Sequence, residues 1–228
     1  MIFRNIVMAG LSIAVVTSTA AASEQKKDKK DKAVVSAGRQ PMNPSIEDVR
    51  AAEAAAAEAR AAAELAAAPK VGGVAMLPTR TIAENAALAP NLSTLVQTSK
   101  AAGVDATLAG PGPYTVFAPT NEAFGRLAPG TIDTLLKPEN KGLLTRLLSY
   151  HTIAGAVSGF DLQEKIKAGG GTYRLTTLEG ETLVATLLNG GIVLTDVNGN
   201  KSYIETFDIK HSNGVVHVVN GVLIPKLG

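Results

Sequence analysis

Two short segments, each a predicted strand with a defined end, constrain the fold of this chain more than any other feature. In the first, the run from Tyr114 to Ala118 is rich in β-branched and aromatic residues, which favour an extended strand. Pro119 ends that strand, and Thr120 or Asn121 then supplies the side-chain oxygen that caps a helix. The segment therefore predicts a strand that leads directly into a helix.

The second segment lies near the C-terminal end of the sequence. Asn213-Gly214 predicts a tight turn into the apolar strand from Val215 to Val219. Asn220-Gly221 and Pro225 bracket the continuation of this strand. The segment therefore predicts a strand that is bounded by turns.

With Tyr150-His151 between them, these two segments are similar to the two signature segments and the Tyr-His pair of the fasciclin domain family. The resemblance runs from about Met76 to Gly228. It implies a twisted β-sandwich or wedge with several helices packed along one edge. The signature positions to which it gives a structural role are Phe117, Pro119, Thr120, Asn121, Phe124, Asn213, Gly214 and His217.

The order of the predicted elements also favours an α+β fold, because most helices come first and a meandering sheet follows. Helices are predicted at 81–88, 91–102, 121–127, 131–136, 139–150 and 161–168, with a further turn at 104–109. Strands are predicted at 114–118, 173–178, 182–187, 192–196, 203–209 and 215–224.

The first 22 residues have the pattern of a secretory signal peptide. Arg4 precedes an apolar run from Ile6 to Val16, and Ala20 to Ala22 form a small-residue cleavage site before Ser23. The alternative is an uncleaved anchor, but the run is much shorter than the roughly 20 residues that span a bilayer. We therefore expect an exported protein, periplasmic or at the cell surface or outside the cell, with no stable membrane span after cleavage.

Residues 23–44 contain six basic and three acidic residues and almost no large apolar side chains. Such a segment buries too little surface to offset its chain entropy, so it is predicted to be a disordered basic linker. A helix follows at 45–68, where thirteen of the last eighteen residues are alanine. Ser45 and Asp48 form its predicted capping pair, and a second linker is predicted at 69–75.

The Ala-rich helix has two interpretations. Arg50, Glu53, Arg60 and Glu64 fall on one charged stripe, which is typical of a solvated spacer. The opposite face carries only alanines and favours close helix–helix packing, which would give weak self-association. Too few large apolar residues are present for a strong coiled coil.

Composition excludes several functions. The chain has 22 basic and 20 acidic residues, so it has no cationic surplus for binding nucleic acid. Cysteine is absent, which excludes disulfides and thiolate sites. No tryptophan and only 4% aromatic residues argue against a stacking platform for bases.

Catalytic motifs are missing as well. The sequence has no nucleophile elbow, zinc-binding helix, phosphate loop or dinucleotide fingerprint, so no enzymatic activity and no cofactor are expected. Asp196 to Asn200 resembles the start of a calcium loop, but Lys201 and Phe207 stand where an EF-hand needs glycine and glutamate. A hairpin turn is the better interpretation, and no metal is expected.

Four residues are candidates for partner binding: Tyr150, His151, Asp208 and Ile209. For Tyr150-His151 at a predicted helix end, a structural role is the alternative to recognition. Asp208-Ile209 stands where animal fasciclin-domain matrix proteins carry an adhesive Asp-Ile motif, as the resemblance implies. The alternative is a solvated turn carboxylate followed by a core isoleucine. His217 is predicted to donate a hydrogen bond within the core, and His211 to be solvated.

The resemblance implies a non-enzymatic interaction module for adhesion at cell surfaces or in the matrix. Its partner would be a surface or matrix protein, or alternatively a glycan, and no nucleic acid is expected. The main alternative is a periplasmic regulatory or assembly factor whose Ala-rich helix docks on an envelope partner.

Overall fold

The computed structural model describes residues 46–226, which contain eight α-helices and nine strands. The helices are α1 (Ile46–Ala67), α2 (Ile82–Leu88), α3 (Ser93–Ala102), α4 (Asp105–Leu108), α5 (Asn121–Gly125), α6 (Thr131–Leu135), α7 (Lys141–Tyr150) and α8 (Gly159–Ala168). The strands are β1 (Lys70–Val71), β2 (Val74–Ala75), β3 (Tyr114–Pro119), β4 (Thr152–Ala154), β5 (Thr172–Thr176), β6 (Thr182–Leu188), β7 (Gly191–Thr195), β8 (Lys201–His211) and β9 (Gly214–Val219). The predicted signal peptide, the basic linker and the Ser45–Asp48 cap lie outside the described residues and side chains.

Seven strands form one sheet in the order β4-β3-β9-β8-β7-β6-β5. All neighbouring strands in it are antiparallel except β3 and β9, which run parallel and pair from Tyr114–Gly214 to Pro119–Val219. The predicted α+β class is confirmed, with helices packed against a twisted sheet. The two signature segments are thus side by side, although a hundred residues of chain separate them.

Successive side chains of β3 and β9 enter two different hydrophobic clusters, because side chains alternate between the faces of a sheet. Val116 and Val216 pack on one face with residues from helices α2, α3 and α7, in what we call the helix-side cluster. Phe117 and Val219 pack on the other face, with residues from α8 and from strands β5 to β7. Both faces of this strand pair are buried, which accounts for its nearly continuous apolar sequence.

Local sequence sets the helix ends. Thr81 and Ser158 cap α2 and α8, and each forms a reciprocal capping box with an acidic side chain three residues later. Thr120 caps α5 by accepting a hydrogen bond from the Ala123 N–H group at 3.2 Å. Gly103 ends α3 in the left-handed conformation, as the sequence predicts.

Residues 69–75, predicted to be a linker, instead contain the β1–β2 hairpin. Gly72 and Gly73 have φ values of 59° and 83°, which suit a two-residue hairpin turn, and Val71 is buried in the helix-side cluster. The glycine pair is therefore a turn and not a break between domains. Residues before Met76 therefore also pack against the helix-side cluster.

The last predicted strand, 215–224, is shorter in the structure and ends at Val219. Beyond it, the Leu223 N–H group donates to His151 Nε2 at 3.0 Å, and the Ile224 N–H group donates to Asp196 Oδ2 at 3.0 Å. Side chains therefore replace the neighbouring strand as hydrogen-bond acceptors. The sequence analysis also missed β4, and it placed the start of α8 at Asp161 instead of Gly159.

Gly214→Ala tests how closely β3 and β9 approach. A methyl group at Gly214 would lie 2.0 Å from the Tyr114 carbonyl oxygen, so we expect the free energy of unfolding in urea to fall by about 2 kcal/mol or more. Gly142→Ala, in open space on α7, is the control and should gain roughly 0.5–1 kcal/mol. Equal stability of the Gly214 variant and the wild type would contradict the close approach.

Candidate functional site

The centre of the sheet holds a buried aromatic pair. Phe117 on β3 and His217 on β9 are register partners, and their rings are stacked with centroids 5.8 Å apart. Phe207 from β8 packs edge-on against the same imidazole at 6.1 Å. The pair therefore joins three strands through one ring.

Both ring nitrogens of His217 are hydrogen-bonded to the backbone. Nδ1 accepts a hydrogen bond from the Asp208 N–H group at 3.3 Å, and Nε2 donates to the Val157 carbonyl at 3.0 Å. Burial lowers the pKa of His217, so the imidazole is neutral and fixed in one tautomer. The predicted core position of His217 agrees with this arrangement.

Strand β8 bulges where it passes His217. Its register against β9 shifts between Thr206 and Ile209, and Asp208 adopts a left-handed φ of 58°. Aspartate tolerates this conformation better than most residues, because its short polar side chain bonds locally. The bulge turns the backbone of Asp208 towards the imidazole.

The carboxylate of Asp208 is bonded to the start of α8. Its Oδ1 accepts a hydrogen bond from the Gly159 N–H group at 2.7 Å, where the helix dipole favours negative charge. A side chain at Gly159 would lie 2.9 Å from the Phe207 ring. Asp208, for which the alternative interpretation was a solvated turn carboxylate, is a half-buried group that holds β8 against α8.

Next to this contact, Phe160 projects into solvent with 69% of its surface exposed. It follows Gly159 in the first turn of α8, inside the Ser158–Asp161 capping box. We call the surface formed by Phe160, Phe207 and Asp208, around the buried Gly159, the bulge face. It presents a large aromatic side chain on a capped helical turn, and aromatic residues are enriched in protein–protein interfaces.

Phe160 was not among the predicted site residues, although the sequence carries a signal for its exposure. Leu162 and Ile166 are four residues apart and form the buried stripe of α8. Phe160 precedes Leu162 by two positions, which on a helix is about 200° away and therefore on the opposite side. An aromatic residue on the side of a capped helix opposite the buried stripe therefore predicts an exposed side chain that is available to a partner.

Tyr150 and His151 are interior residues and do not present their side chains to a partner. Tyr150 Oη donates to the Thr182 carbonyl and accepts from the Val197 N–H group, both at 3.1 Å, and burial raises the pKa of Tyr150 to about 12. His151 Nδ1 donates to the Leu147 carbonyl at 2.8 Å, while Nε2 accepts from Leu223. The pair links α7 to the sheet and to the C-terminal segment.

Ile209 is also buried, in the helix-side cluster. Of the four candidate binding residues, only Asp208 therefore touches the surface, and it does so at the bulge face. The structure does not gather the four into one site. It distributes them over both clusters, where they hold elements together.

Asn213 connects the sheet to the helices, and Asn121 connects one helix to another. Asn213 accepts a hydrogen bond from the Ile82 N–H group at 3.0 Å and donates to the carbonyl groups of Leu108 and Gly110. Asn121 accepts from the Thr94 N–H group at 3.0 Å, so it ties α5 to α3 and leaves the helix cap to Thr120. These signature side chains satisfy backbone groups that burial removes from water.

The calcium-like segment is a turn between β7 and β8. Asp196 Oδ1 accepts hydrogen bonds from the N–H groups of Asn198 and Asn200 at 2.9 and 2.8 Å. Its Oδ2 accepts from the Asn200 side chain and from Ile224. Protein donors thus surround the carboxylate as the hairpin interpretation requires. Within residues 46–226, no three His, Asp or Glu side chains gather in a way that suits a metal ion.

A fasciclin domain family model matches residues 90–225. The chain belongs to this family. Protein sll1483 of Synechocystis sp. is 37% identical, over 64% of this chain and 74% of its own length. The uncharacterized protein sll1735 of the same organism is 36% identical over 63% of this chain and 96% of its own length. The similar region thus corresponds to most of each cyanobacterial relative.

Larger animal proteins also contain a similar fasciclin domain. Transforming growth factor-beta-induced protein ig-h3 of Sus scrofa is 37% identical over 58% of this chain but only 17% of its own length. A solved FAS1 domain pair from the insect cell adhesion molecule Fasciclin I has the same fold. Its TM-score is 0.57 at 19% identity, over 68% of this chain and 52% of that chain.

No helix within residues 46–226 of this fasciclin-domain protein combines the length and the apolar character needed to cross a membrane.

Asp208→Ala tests the link between β8 and α8. We expect the free energy of unfolding to fall by about 1–2 kcal/mol, because Gly159 loses its acceptor and alanine disfavours the left-handed backbone. Asp208→Asn keeps an acceptor oxygen and tolerates this conformation, so it should lose less than half as much. Urea denaturation of both variants measures the difference. If both variants unfold at the urea midpoint of the wild type, the Asp208 side chain is solvated and does not hold β8 against α8.

Because the buried histidines are neutral, we expect the free energy of unfolding to fall in mild acid. Burial removes the His151 imidazole from water and lowers its pKa to about 4, against about 6.5 in the unfolded chain. The neutral ring also suits the Leu223 N–H group, which donates to Nε2. Its contribution, on the order of 3 kcal/mol, is complete above pH 6.5 and is lost progressively as the pH falls towards 4.

The measurement is the melting temperature between pH 7.5 and pH 5. The carboxylates of Glu84 and Asp161 stay ionised over that range. Hydrogen bonds from the backbone and side chain of Thr81 lower the pKa of Glu84, and those from the side chain and backbone of Ser158 lower the pKa of Asp161. A falling melting temperature below pH 6.5 is expected. A constant value down to pH 5 would show that the histidines are not held in their neutral form.

Proposed function

We propose that this fasciclin domain is an exported, non-enzymatic interaction module for adhesion, and that its bulge face contacts a surface or matrix protein. The observation that carries the proposal is the exposure of Phe160 beside the rigid Gly159–Asp208 contact. An aromatic residue on a flexible loop would lose more backbone entropy on binding than one in the capped first turn of a helix. We therefore assign the partner contact to Phe160 instead of Asp208-Ile209.

The family supports an adhesion role. A related fold occurs in a pair of domains from the insect cell adhesion molecule Fasciclin I, and similar domains occur within ig-h3 and stabilin-1. The histidine chemistry supports a non-enzymatic role. His151 and His217 each use both ring nitrogens to hold backbone groups, so neither is placed to exchange protons with a substrate.

Export rests on the first 22 residues, whose apolar run and small-residue site are typical of a signal peptide. If the segment is removed, the secreted chain begins at Ser23. The N-terminal sequence of the protein recovered from the periplasm and from the medium tests this point and decides between the two compartments.

Helix α1 supports a second candidate role, as a spacer or as a helix that docks on an envelope partner. Its described side chains are all exposed over Ile46–Ala67, and it is about 33 Å long. Ile46, Val49 and Leu65 are the large apolar residues available for docking. Deletion of 46–67 with unchanged adhesion would favour the spacer, and loss of adhesion would favour docking.

Phe160→Ala tests the bulge face. We expect adhesion to the native surface or matrix partner to weaken at least about tenfold, because the aromatic anchor is removed, while the melting temperature stays within about 1 °C of the wild type. Leu188→Ala, another exposed apolar residue at the end of β6, is the matched control and should bind normally.

Two results would contradict this site. Equal adhesion of both variants would remove Phe160 from the contact, and equal loss in both would indicate nonspecific hydrophobic attachment. If Phe160→Ala still binds proteins but no longer binds glycans, the partner of the bulge face is a glycan instead.

A further inference from the structure

A partly enclosed cavity of about 190 Å³ lies between the helices and the sheet, away from the bulge face. Val116, Val216 and Ile209 from β3, β9 and β8 contribute to the sheet side of its wall. Helices α2, α3 and α4 contribute the other side. The cavity therefore opens within the helix-side cluster and not in a surface loop.

Small side chains leave this space unfilled. Ala83 and Ala86 on α2 and Ala106 on α4 line the cavity, where larger aliphatic residues would reach across it. Protein interiors are normally packed with few voids larger than a water molecule. A cavity of this size is therefore a departure from ordinary packing that needs an explanation.

The wall is mainly hydrocarbon, which makes water a poor occupant. A buried water needs two to four polar partners, and apolar cavities of about 150 Å³ in other proteins stay dry and bind benzene or xenon. A ligand that replaced the void would regain the dispersion contacts that the wall residues lack. The size and lining thus select a compact hydrocarbon group.

The polar residues of the cavity wall favour a ligand without a net charge. Lys100 and Asp105 carry opposite charges, and Ser99 and His211 are the other polar members. His211 Nδ1 donates to the Ile209 carbonyl at 2.9 Å, so Nε2 is left as an acceptor. Burial lowers the pKa of His211 to about 4, which keeps the ring neutral at neutral pH. The set offers hydrogen bonds but no net charge.

We propose that this cavity is a binding site for a small, neutral, hydrocarbon-rich molecule. The occupant inserts its apolar part against Val116 and Val216, and any single polar group meets Ser99 or His211. This activity is separate from the adhesive contact, because it uses the helix side of the sheet and no residue of the bulge face.

The test is titration of the purified full chain with p-xylene and with p-toluate, which has the same ring but carries a carboxylate. Protein NMR chemical shifts and the melting temperature report binding. We expect saturable binding of p-xylene, shifts in α2, α3 and α4, and a melting temperature that rises with ligand concentration. p-Toluate should bind at least tenfold more weakly.

Ala86→Leu fills the cavity and should weaken p-xylene binding at least tenfold. Ala101→Leu, the same substitution at an exposed position of α3 outside the cavity wall, is the control and should bind like the wild type. Ala83→Leu provides a second filling variant if Ala86→Leu does not fold. If neither variant folds, the chemical-shift changes that p-xylene causes in the wild type decide. Changes located outside α2, α3 and α4 would overturn the site.

Three further outcomes would overturn the proposal. These are no saturable binding of p-xylene to the wild type, equal binding of p-toluate, and undiminished binding to a folded filling variant. Any of them would show that the cavity is a packing defect or that it accepts charged molecules.

Discussion

The parallel pairing of β3 with β9 is the constraint on which the remaining structure depends. It brings two segments from distant parts of the chain into register, so that Phe117 lies against His217 and Tyr114 lies against Gly214. Such a pair cannot form through a local hairpin, because parallel strands need a long connection. The intervening chain therefore has to fold around the pair, and it supplies helices to one face and the antiparallel strands β5 to β7 to the other.

Buried polar side chains make this arrangement specific. His217, His151 and Asn213 each bond backbone groups that lie outside regular ladders. These groups are in the Val157 segment, the Leu223 segment and the turn at Gly110 after α4. An apolar replacement would leave those groups unpaired in the interior, at a cost of about 1–3 kcal/mol for each. The same low-dielectric surroundings keep both histidines neutral, so the scaffold depends on their uncharged form.

The residues that identify the family are therefore mostly structural, and function depends on what surrounds them. Tyr150, His151 and Ile209 are recognisable in the sequence, yet all are buried. The bulge at Asp208 is the place where the interior network reaches the surface, since Asp208 bonds both His217 and Gly159. Phe160 is exposed beside it, while the alanines of α2 leave a cavity on the other side of the sheet. The two proposed sites thus lie on opposite faces of the sheet.

The sequence by itself determined the family, the α+β class, most helices and strands, and the position of His217 in the core, because capping residues, turn pairs and alternating apolar residues act over short distances. Only the tertiary structure decided the β1–β2 hairpin, the early end of β9 and the structural role of Asp208. In each case the deciding partner is remote in the chain: Val71 is buried by helices, Leu223 bonds His151, and Asp208 bonds Gly159. Exposure of Phe160 and the cavity beside Ala86 also follow from packing, because a local pattern does not record which atoms from elsewhere fill the space around a side chain.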